Sequence, residues 1–217
     1  QKNILFTNND SAYETAISLN QKGINIEAII DNREEIDSKL IKETERNNIK
    51  IYKGYTVVNT FGYKRINKIS IMQLSKDGQK VIGSKISIAC DCLGISGGWT
   101  PAVHLFTQSG GKLKFREEDQ VFIPNIYPSD QISIGSCNGE FTLDEILSTI
   151  PKTLKEFLNL KKTDYEDLEI KSSFNKSKRN IWLLPSDKVI GKTKPFVDYQ
   201  NDATAKDIKL ALREGFR

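Results

Sequence analysis

Three cysteines and one histidine are the residues of this sequence that would be considered first for a thiolate–imidazole zinc site. Cys90 and Cys92 form the string CDC, Cys137 lies in a later glycine-rich segment, and His104 is the only histidine. On a strand, the two thiols of C-x-C would point to one face. A closed zinc site needs four converging ligands, commonly with C-x₂₋₄-C spacing, which is absent here. We therefore expect no metal, and we expect His104 to be packed or to cap an element rather than to act as a base.

An acid at the end of an apolar run is a candidate for nucleotide binding. Asp31 closes the string IEAIID, roughly 20 residues after the first strand-like run, the spacing of the ribose-binding acid in dinucleotide folds. The loop Asn8–Ser11 lies where such folds carry G-x-G-x-x-G, but it contains no glycine. A pyrophosphate could not approach this backbone closely. We interpret Asp31 and the Asn8–Ser11 loop together as a nucleotide site that is no longer used.

Two glycine-rich segments each follow an apolar run and are the stronger candidates for ligand contact. They span residues 96–101 (SGGWTP) and 135–139 (GSCNG). Small residues at such junctions let backbone amides approach a ligand, and the alternative is that both are tight turns closing a sheet. A ligand site needs these segments free and lined by amides, whereas a structural relic would fill them with side chains. No Ser-His-Asp, Cys-His or paired-carboxylate set can be assembled, so we assign no catalytic residue.

The elements that must position these segments follow from hydrophobic patterning. Strands at 4–7, 26–31 and 49–52 alternate with helices at 12–19 and 36–47, which predicts a parallel sheet. Runs at 55–61, 64–74 and 79–90, with a turn at 76–78, predict an antiparallel meander. Strands at 92–95 and 132–134 lead into the two glycine-rich segments. Helices are predicted over 143–149, 151–160 and 204–215, with a polar surface segment at 161–178 and a short buried anchor at 182–185.

Composition limits the class of protein. The chain has 217 residues, 38% of them hydrophobic and 28% charged, with a net charge of +4. No apolar run approaches the roughly 18–20 residues that span a bilayer, so we expect no membrane association. Aromatic residues do not interleave with the lysine runs, so we expect no nucleic acid partner. An odd number of cysteines without a regular framework favours a reducing, cytoplasmic compartment.

The order of elements resembles the plan of flavoprotein disulfide reductases, in which two dinucleotide-binding domains are nested. The resemblance implies an α/β, Rossmann-like flavoprotein fold, present in part, with the β-meander and a small helical linker domain at the C-terminus. It implies an inserted domain at 1–88, a return segment of the parent NAD/FAD-binding domain at 89–150, and a linker at 151–217. In that plan Asp91 begins the return to the parent domain.

Three strings resemble the alpha subunits of heterotetrameric sarcosine oxidases: ILFTNNDSAYETA, DCLGISGGWTPAVHLFTQSGGKL and PFVDYQNDATAKDIKLALREGFR. The resemblance covers nearly the whole chain. It implies oxidative demethylation of sarcosine to glycine, transfer of the methylene group to tetrahydrofolate, and production of hydrogen peroxide. It also implies NAD in this subunit, FMN shared with the beta subunit, FAD in the beta subunit, and partner beta, gamma and delta subunits. A fingerprint-bearing half-domain should precede Gln1 and a folate-binding aminomethyltransferase-like domain should follow Arg217, so the chain is expected to be a non-autonomous piece.

With this resemblance we expect cofactor contact at both glycine-rich segments. The expected residues are Ser96, Gly97, Gly98, Trp99, Thr100, Pro101, Gly135, Cys137, Asn138 and Gly139. Relatives that hold an iron–sulfur cluster have C-x-C where this chain has Asp198 and Gln200, so no cluster is expected. Three alternatives remain open: the alpha subunit of a related amine, proline or opine dehydrogenase, an NAD(P)H-dependent oxidoreductase of the disulfide-reductase type, and a non-catalytic structural subunit.

Overall fold

The computed structural model describes residues 1–128, 130–159, 181, 183–186 and 194–216. The chain divides into two compact units. The first unit contains Gln1–Thr7, Ala12–Ile95 and Ile181–Arg217, and the second contains Asn8–Ser11 and Ser96–Asn180.

The chain begins with alternating strands and helices and continues with consecutive strands. The elements are β1 (Asn3–Thr7), α1 (Ser11–Gln21), β2 (Ile26–Asp31), α2 (Ser38–Arg46), β3 (Lys50–Lys53), β4 (Tyr55–Gly62), β5 (Ile66–Leu74), β6 (Val81–Ala89) and β7 (Cys92–Ser96). Four strands form one sheet in the order β3-β2-β1-β7. The β1–β2 and β2–β3 pairs are parallel, which confirms the α/β, partial Rossmann-like prediction.

The two faces of this sheet bury two apolar clusters because side chains alternate along a strand. On one face, Ile4 and Phe6 of β1 join Ile30 of β2 and Ile69 and Ile71 of β5. The other cluster is formed by Tyr13, Ala16, Ile26, Ile29 and Ile49, with Leu5 of β1 packed against it. The meander thus covers one face and α1 the other, and each fully buried large apolar side chain contributes about 1.5–3 kcal/mol.

Strands β4, β5 and β6 form the predicted antiparallel meander. The turn between β5 and β6 is held by Ser75 and Asp77: the Gln79 N–H donates to the Asp77 carboxylate at 3.1 Å, and the Lys80 N–H donates to the Ser75 hydroxyl at 3.0 Å. Strand β7 joins the sheet of β1–β3, with the Asp91 N–H donating to the Lys2 carbonyl at 2.8 Å. The return segment expected at 89–150 stays a prediction, and its residues up to Ile95 lie in the first unit.

The second unit contains α3 (His104–Gln108), the hairpin of β8 (Lys112–Arg116) and β9 (Val121–Ile126), a 3₁₀ turn (Gly135–Asn138) and α4 (Leu143–Phe157). The sequence analysis did not predict the hairpin. The predicted strand at 132–134 was wrong: Ile134 is extended, but Gly135 follows it at φ +76 and turns the chain into the 3₁₀ turn. The two predicted helices are one, with Pro151 inside α4. Proline is most favourable at the first position of a helix, which explains the incorrect start.

The C-terminal part of the first unit contains β10 (Phe196–Asp198), β11 (Ala203–Thr204) and α5 (Ala205–Arg213). The predicted helix start is confirmed: the Thr204 N–H and hydroxyl donate to the Asp207 carboxylate at 2.9 and 2.6 Å, at the spacing of a capping box. Gly215 follows the helix at φ +83. The segment 161–178 and Trp182 of the predicted anchor lie outside the described residues, and Leu184 packs against the core that contains Ile4.

The cysteine and histidine positions differ from expectation. Cys90 is buried and lies between β6 and β7, whereas Cys92 begins β7 and is exposed. The two thiols therefore do not share a strand face, because residue 90 is not in the strand. His104 is exposed at the start of α3 rather than packed. Within the described parts of the chain there is no cluster of three or more metal-binding side chains and no helix long and apolar enough to cross a bilayer.

Candidate functional site

A buried asparagine joins the loop after β1 to the loop after β7. The Asn9 side-chain amide donates to the Ser96 carbonyl at 3.1 Å and to the Ser96 hydroxyl at 3.0 Å. Asn8 donates in parallel to the Gly97 carbonyl at 3.1 Å. Asn9 is only 4% exposed, so its hydrogen bonds are shielded from water and hold the loops firmly. All of these residues lie in the second unit.

The same network reaches Trp99 through Ser11. The Ser11 hydroxyl donates to the Asn9 side-chain oxygen at 2.6 Å, and the Trp99 indole N–H approaches the Ser11 hydroxyl at 3.4 Å. The Trp99 ring is nevertheless 60% exposed. An exposed indole held at its N–H offers an open aromatic face, which suits stacking on a planar ring.

The glycines beside Trp99 leave room at the backbone. A Cβ built on Gly97 meets nothing within 4 Å, and one built on Gly98 meets only the Asn8 side-chain oxygen at 3.7 Å. Gly98 has φ +103, a conformation that favours glycine. Open space at Gly97, just beyond the end of β7, is what an approaching ligand needs. The remaining predicted residues of this loop differ in burial: Thr100 is exposed and Pro101 is buried.

The second glycine-rich segment is occupied by the protein's own groups. The Gly135 N–H donates to the Glu140 carboxylate at 3.2 Å, and the Cys137 thiol donates to the Ile134 carbonyl at 3.0 Å. At the other end, the Arg116 guanidinium donates to the Gly139 carbonyl at 3.0 Å. These three bonds thus go to different neighbours from those of the 96–101 loop.

Arg116 is held where it supports Gly139. Its Nε donates to Asp119 at 2.7 Å and its Nη2 makes a second bond to the same carboxylate. The carboxylate raises the pKa of Arg116, so the guanidinium stays charged. A Cβ at Gly139 would lie 2.5 Å from the Arg116 Nη2 and 3.1 Å from Ile123. Asn138 ends the 3₁₀ turn between these contacts.

The acid at the end of β2 is enclosed by its neighbours. Asp31 is 0% exposed. One carboxylate oxygen accepts from the Arg33 N–H at 2.9 Å, and the other accepts from the Tyr13 hydroxyl at 3.0 Å and from the Arg33 Nη2 at 2.8 Å. Both oxygens are therefore satisfied within the first unit. This supports the interpretation of Asp31 as a ribose acid that is no longer used.

Asp198 ends β10, and Gln200 lies in the turn that follows it. The Asp198 carboxylate accepts from the Gln200 N–H at 2.8 Å and from the Asn201 side chain at 2.7 Å. These bonds lower the pKa of Asp198, with the Asn201 side chain as the largest cause. The Asp198 carboxylate therefore stabilises the turn that leads from β10 to β11.

Sequence reasoning missed Asn8, Asn9 and Arg116 as residues that shape the site. Asn8 and Asn9 were judged only by the missing glycines, although their position directly after β1 placed them at the ligand-binding edge of a parallel sheet. Arg116 lies in a hairpin that was not predicted. Its one sequence signal is Asp119, three residues later, at a spacing that allows an ion pair across a turn.

The sequence comparisons find similarity to the alpha subunits of sarcosine oxidases. The family model described as the sarcosine oxidase A3 domain matches residues 192–217. The sarcosine oxidase subunit alpha of Corynebacterium sp. (strain P-1) is 27% identical over 223 residues, covering 98% of this chain and 22% of the relative. That of Rhizobium meliloti (strain 1021) is 28% identical over 217 residues, covering 98% of this chain and 20% of the relative. The chain thus spans about a fifth of the length of these relatives.

Solved structures with a similar fold are oxidoreductases. The thioredoxin reductase of T. acidophilum has a TM-score of 0.49 and 16% identity, over 73% of this chain and 52% of that one. The bacillithiol disulfide reductase Bdr of Staphylococcus aureus has a TM-score of 0.44 and 14% identity, over 70% and 51%. The resemblance of the three sequence strings is confirmed by these relatives: over nearly its whole length, this chain is similar to a segment of the alpha subunits of sarcosine oxidases.

Proposed function

We propose that this chain is the dinucleotide-binding and scaffold segment of the alpha subunit of a sarcosine-oxidising enzyme. The observation that carries the proposal is similarity along the whole chain: relatives with that name align to 97–98% of it. The A3 domain match at 192–217 adds a second, independent marker at the C-terminal end.

In the proposed enzyme, sarcosine, tetrahydrofolate and oxygen are converted to glycine, methylenetetrahydrofolate and hydrogen peroxide. The N-methyl carbon is oxidised by two electrons and transferred to tetrahydrofolate, and oxygen takes up the two electrons and two protons. The flavins supply the redox chemistry, FAD in the beta subunit and FMN between alpha and beta, and the gamma and delta subunits complete the assembly. We assign no catalytic residue to this chain, and we propose a cytoplasmic location in keeping with its free thiols.

The proposed part of this chain in that reaction is to hold NAD. The loop at 96–101 offers the contact surface, because Gly97 is open and Trp99 is exposed. Gly135, Cys137, Asn138 and Gly139 shape the second segment, whose ends are fixed by Glu140 and Arg116. Open α/β sheets bind nucleotides beyond the carboxyl ends of their strands, the position of the loops that follow β1 and β7.

The test is to express the natural full-length reading frame with its neighbouring subunits and measure peroxide formation. Sarcosine, proline and an opine serve as parallel substrates, and bound nucleotide is released by acid and identified by mass spectrometry. We expect peroxide with sarcosine and one NAD per alpha subunit. Peroxide or dye reduction with proline or the opine alone would assign the chain to a related dehydrogenase instead, and no oxidation of any amine would support a purely structural subunit.

A further inference from the structure

The polar network around Asn9 has an arrangement that neither the family match nor the fold assigns a role. A glycine fingerprint after β1 would leave space for a phosphate. Here that space is filled by asparagine side chains that donate toward the loop after β7. The loop after β1 therefore supports the loop after β7, which carries Gly97 and Trp99.

Asn9 has the burial and the bonding of a positioning residue. It is 4% exposed, and its amide donates to both the carbonyl and the hydroxyl of Ser96. Its side-chain oxygen accepts from Ser11, and the Ser11 hydroxyl lies within reach of the Trp99 indole N–H. The chain of contacts from Asn9 through Ser11 to Trp99 fixes one edge of an indole whose remaining surface is mostly exposed.

We propose that Asn9 positions Trp99 as a stacking platform for a planar heterocyclic ring of the nucleotide held by this segment. The inference rests on the proposed function and names the group that the site recognises. The exposed face of the Trp99 indole stacks on a ring of the nucleotide. The open backbone at Gly97 contacts its ribose or phosphate. Aromatic stacking tolerates different bases, because every base has a π-face.

The test measures NAD affinity in the protein expressed at its natural full length and freed of bound nucleotide, by titration calorimetry on four variants. Trp99→Leu should weaken binding about tenfold, in line with the usual loss of one base-stacking contact, whereas Trp99→Phe should retain most of the affinity. Asn9→Ala should weaken binding to a similar extent. Asn20→Ala is the matched control, because it also removes an amide-to-carbonyl bond, from Asn20 to the Asn47 carbonyl at 3.0 Å, and it should bind NAD as the unaltered protein does.

A double-variant cycle separates positioning from general destabilisation. If Asn9 acts through Trp99, the Asn9→Ala/Trp99→Leu protein should bind NAD no more weakly than Trp99→Leu alone. Losses that add, or a Trp99→Leu protein with unchanged affinity, would overturn the inference and leave the proposed NAD binding intact. If the unaltered protein does not bind NAD, the nucleotide part of the proposed function fails, and the stacking role fails with it.

Discussion

Asp31 and Arg33 form a buried ion pair at the end of β2, with 2.8 Å between the Arg33 Nη2 and the Asp31 carboxylate. Neither side chain is more than 9% exposed. Asp31, the one residue that sequence spacing suggested for ribose recognition, is thus engaged by Arg33. The ion pair therefore keeps the Asp31 carboxylate from binding a ribose, and the loop after β7 is the better candidate for ligand contact.

Removing Arg33 should destabilise the fold strongly. Arg33→Met leaves the buried Asp31 carboxylate without its cation, which typically costs about 3–5 kcal/mol of unfolding free energy. The Asp31→Asn/Arg33→Met double variant should be less unstable, because no buried charge is left. Urea unfolding followed by circular dichroism measures both, and the exposed Arg46→Met change should stay within roughly 0.5 kcal/mol of the unaltered protein. An Arg33→Met protein as stable as Arg46→Met would show that the pair is not formed.

Gly139 should be intolerant of a side chain for two separate reasons. It has φ +79, and a Cβ there would contact Arg116 and Ile123. Gly139→Ala should therefore cost about 1–3 kcal/mol through backbone strain and further stability through the clash. Gly110→Ala is the control, because Gly110 has φ +92 with nothing within 4 Å. The difference in unfolding free energy between the two variants measures the clash, and equal losses would contradict the packing around Gly139.

The two cysteines of the CDC string should react at different rates. Cys92 is exposed, whereas Cys90 is 1% exposed and burial raises the pKa of its thiol. Because the thiolate is the reactive form, iodoacetamide at pH 8 should modify Cys92 well before Cys90. Peptide mass spectrometry at successive times checks the order, with urea-unfolded protein as the control in which both react. Equal rates in the native protein would place Cys90 at the surface.

The strands and helices of the first unit were predicted more completely from the sequence than those of the second, and particular residues show why. Strands β1 and β2 were predictable because Ile4, Phe6, Ile26 and Ile30 are apolar at positions dictated by burial, and local pattern then agrees with tertiary packing. Strand β8, with the sequence KLKFR, alternates charged and apolar residues as a strand does, but the run is only five residues long and it was not identified. Pro151 was interpreted as the first residue of a helix, the position that proline favours, but it lies inside α4.

The candidate site was predictable only in part, because its support depends on contacts between distant residues. Ser96 and Gly97 were identified by glycine content at a strand end. Asn9 meets Ser96 across 87 positions of sequence, and no local pattern reveals such a pair. The Asp31 spacing suggested ribose binding, and only the structure shows that Tyr13 and Arg33 occupy it.

The Asp198 turn makes a prediction about pH. Its pKa is lowered by bonds from Asn201 and Gln200, so the folded state favours the charged form. The associated stabilisation is present above the ordinary aspartate pKa, near 3.8, and is lost as the pH falls through the lowered value. Asn201→Ala removes the largest cause, so the pKa should move back up toward the ordinary value in a carboxylate NMR titration. An unchanged pKa in Asn201→Ala would mean that the turn does not form.

NAD titration of a Gly97→Leu variant, in the natural full-length protein freed of bound nucleotide, tests whether the 96–101 loop contacts the dinucleotide. Gly97 is not in the left-handed region and has open space around it, so the substitution should leave the melting temperature nearly unchanged. Ser84→Leu, at an exposed position of β6, is the control for an added apolar side chain. We expect Gly97→Leu to lose at least about tenfold in NAD affinity, the cost of excluding one good contact, while Ser84→Leu binds NAD normally. Unchanged affinity in a folded Gly97→Leu protein would contradict the assignment of the 96–101 loop as the dinucleotide contact.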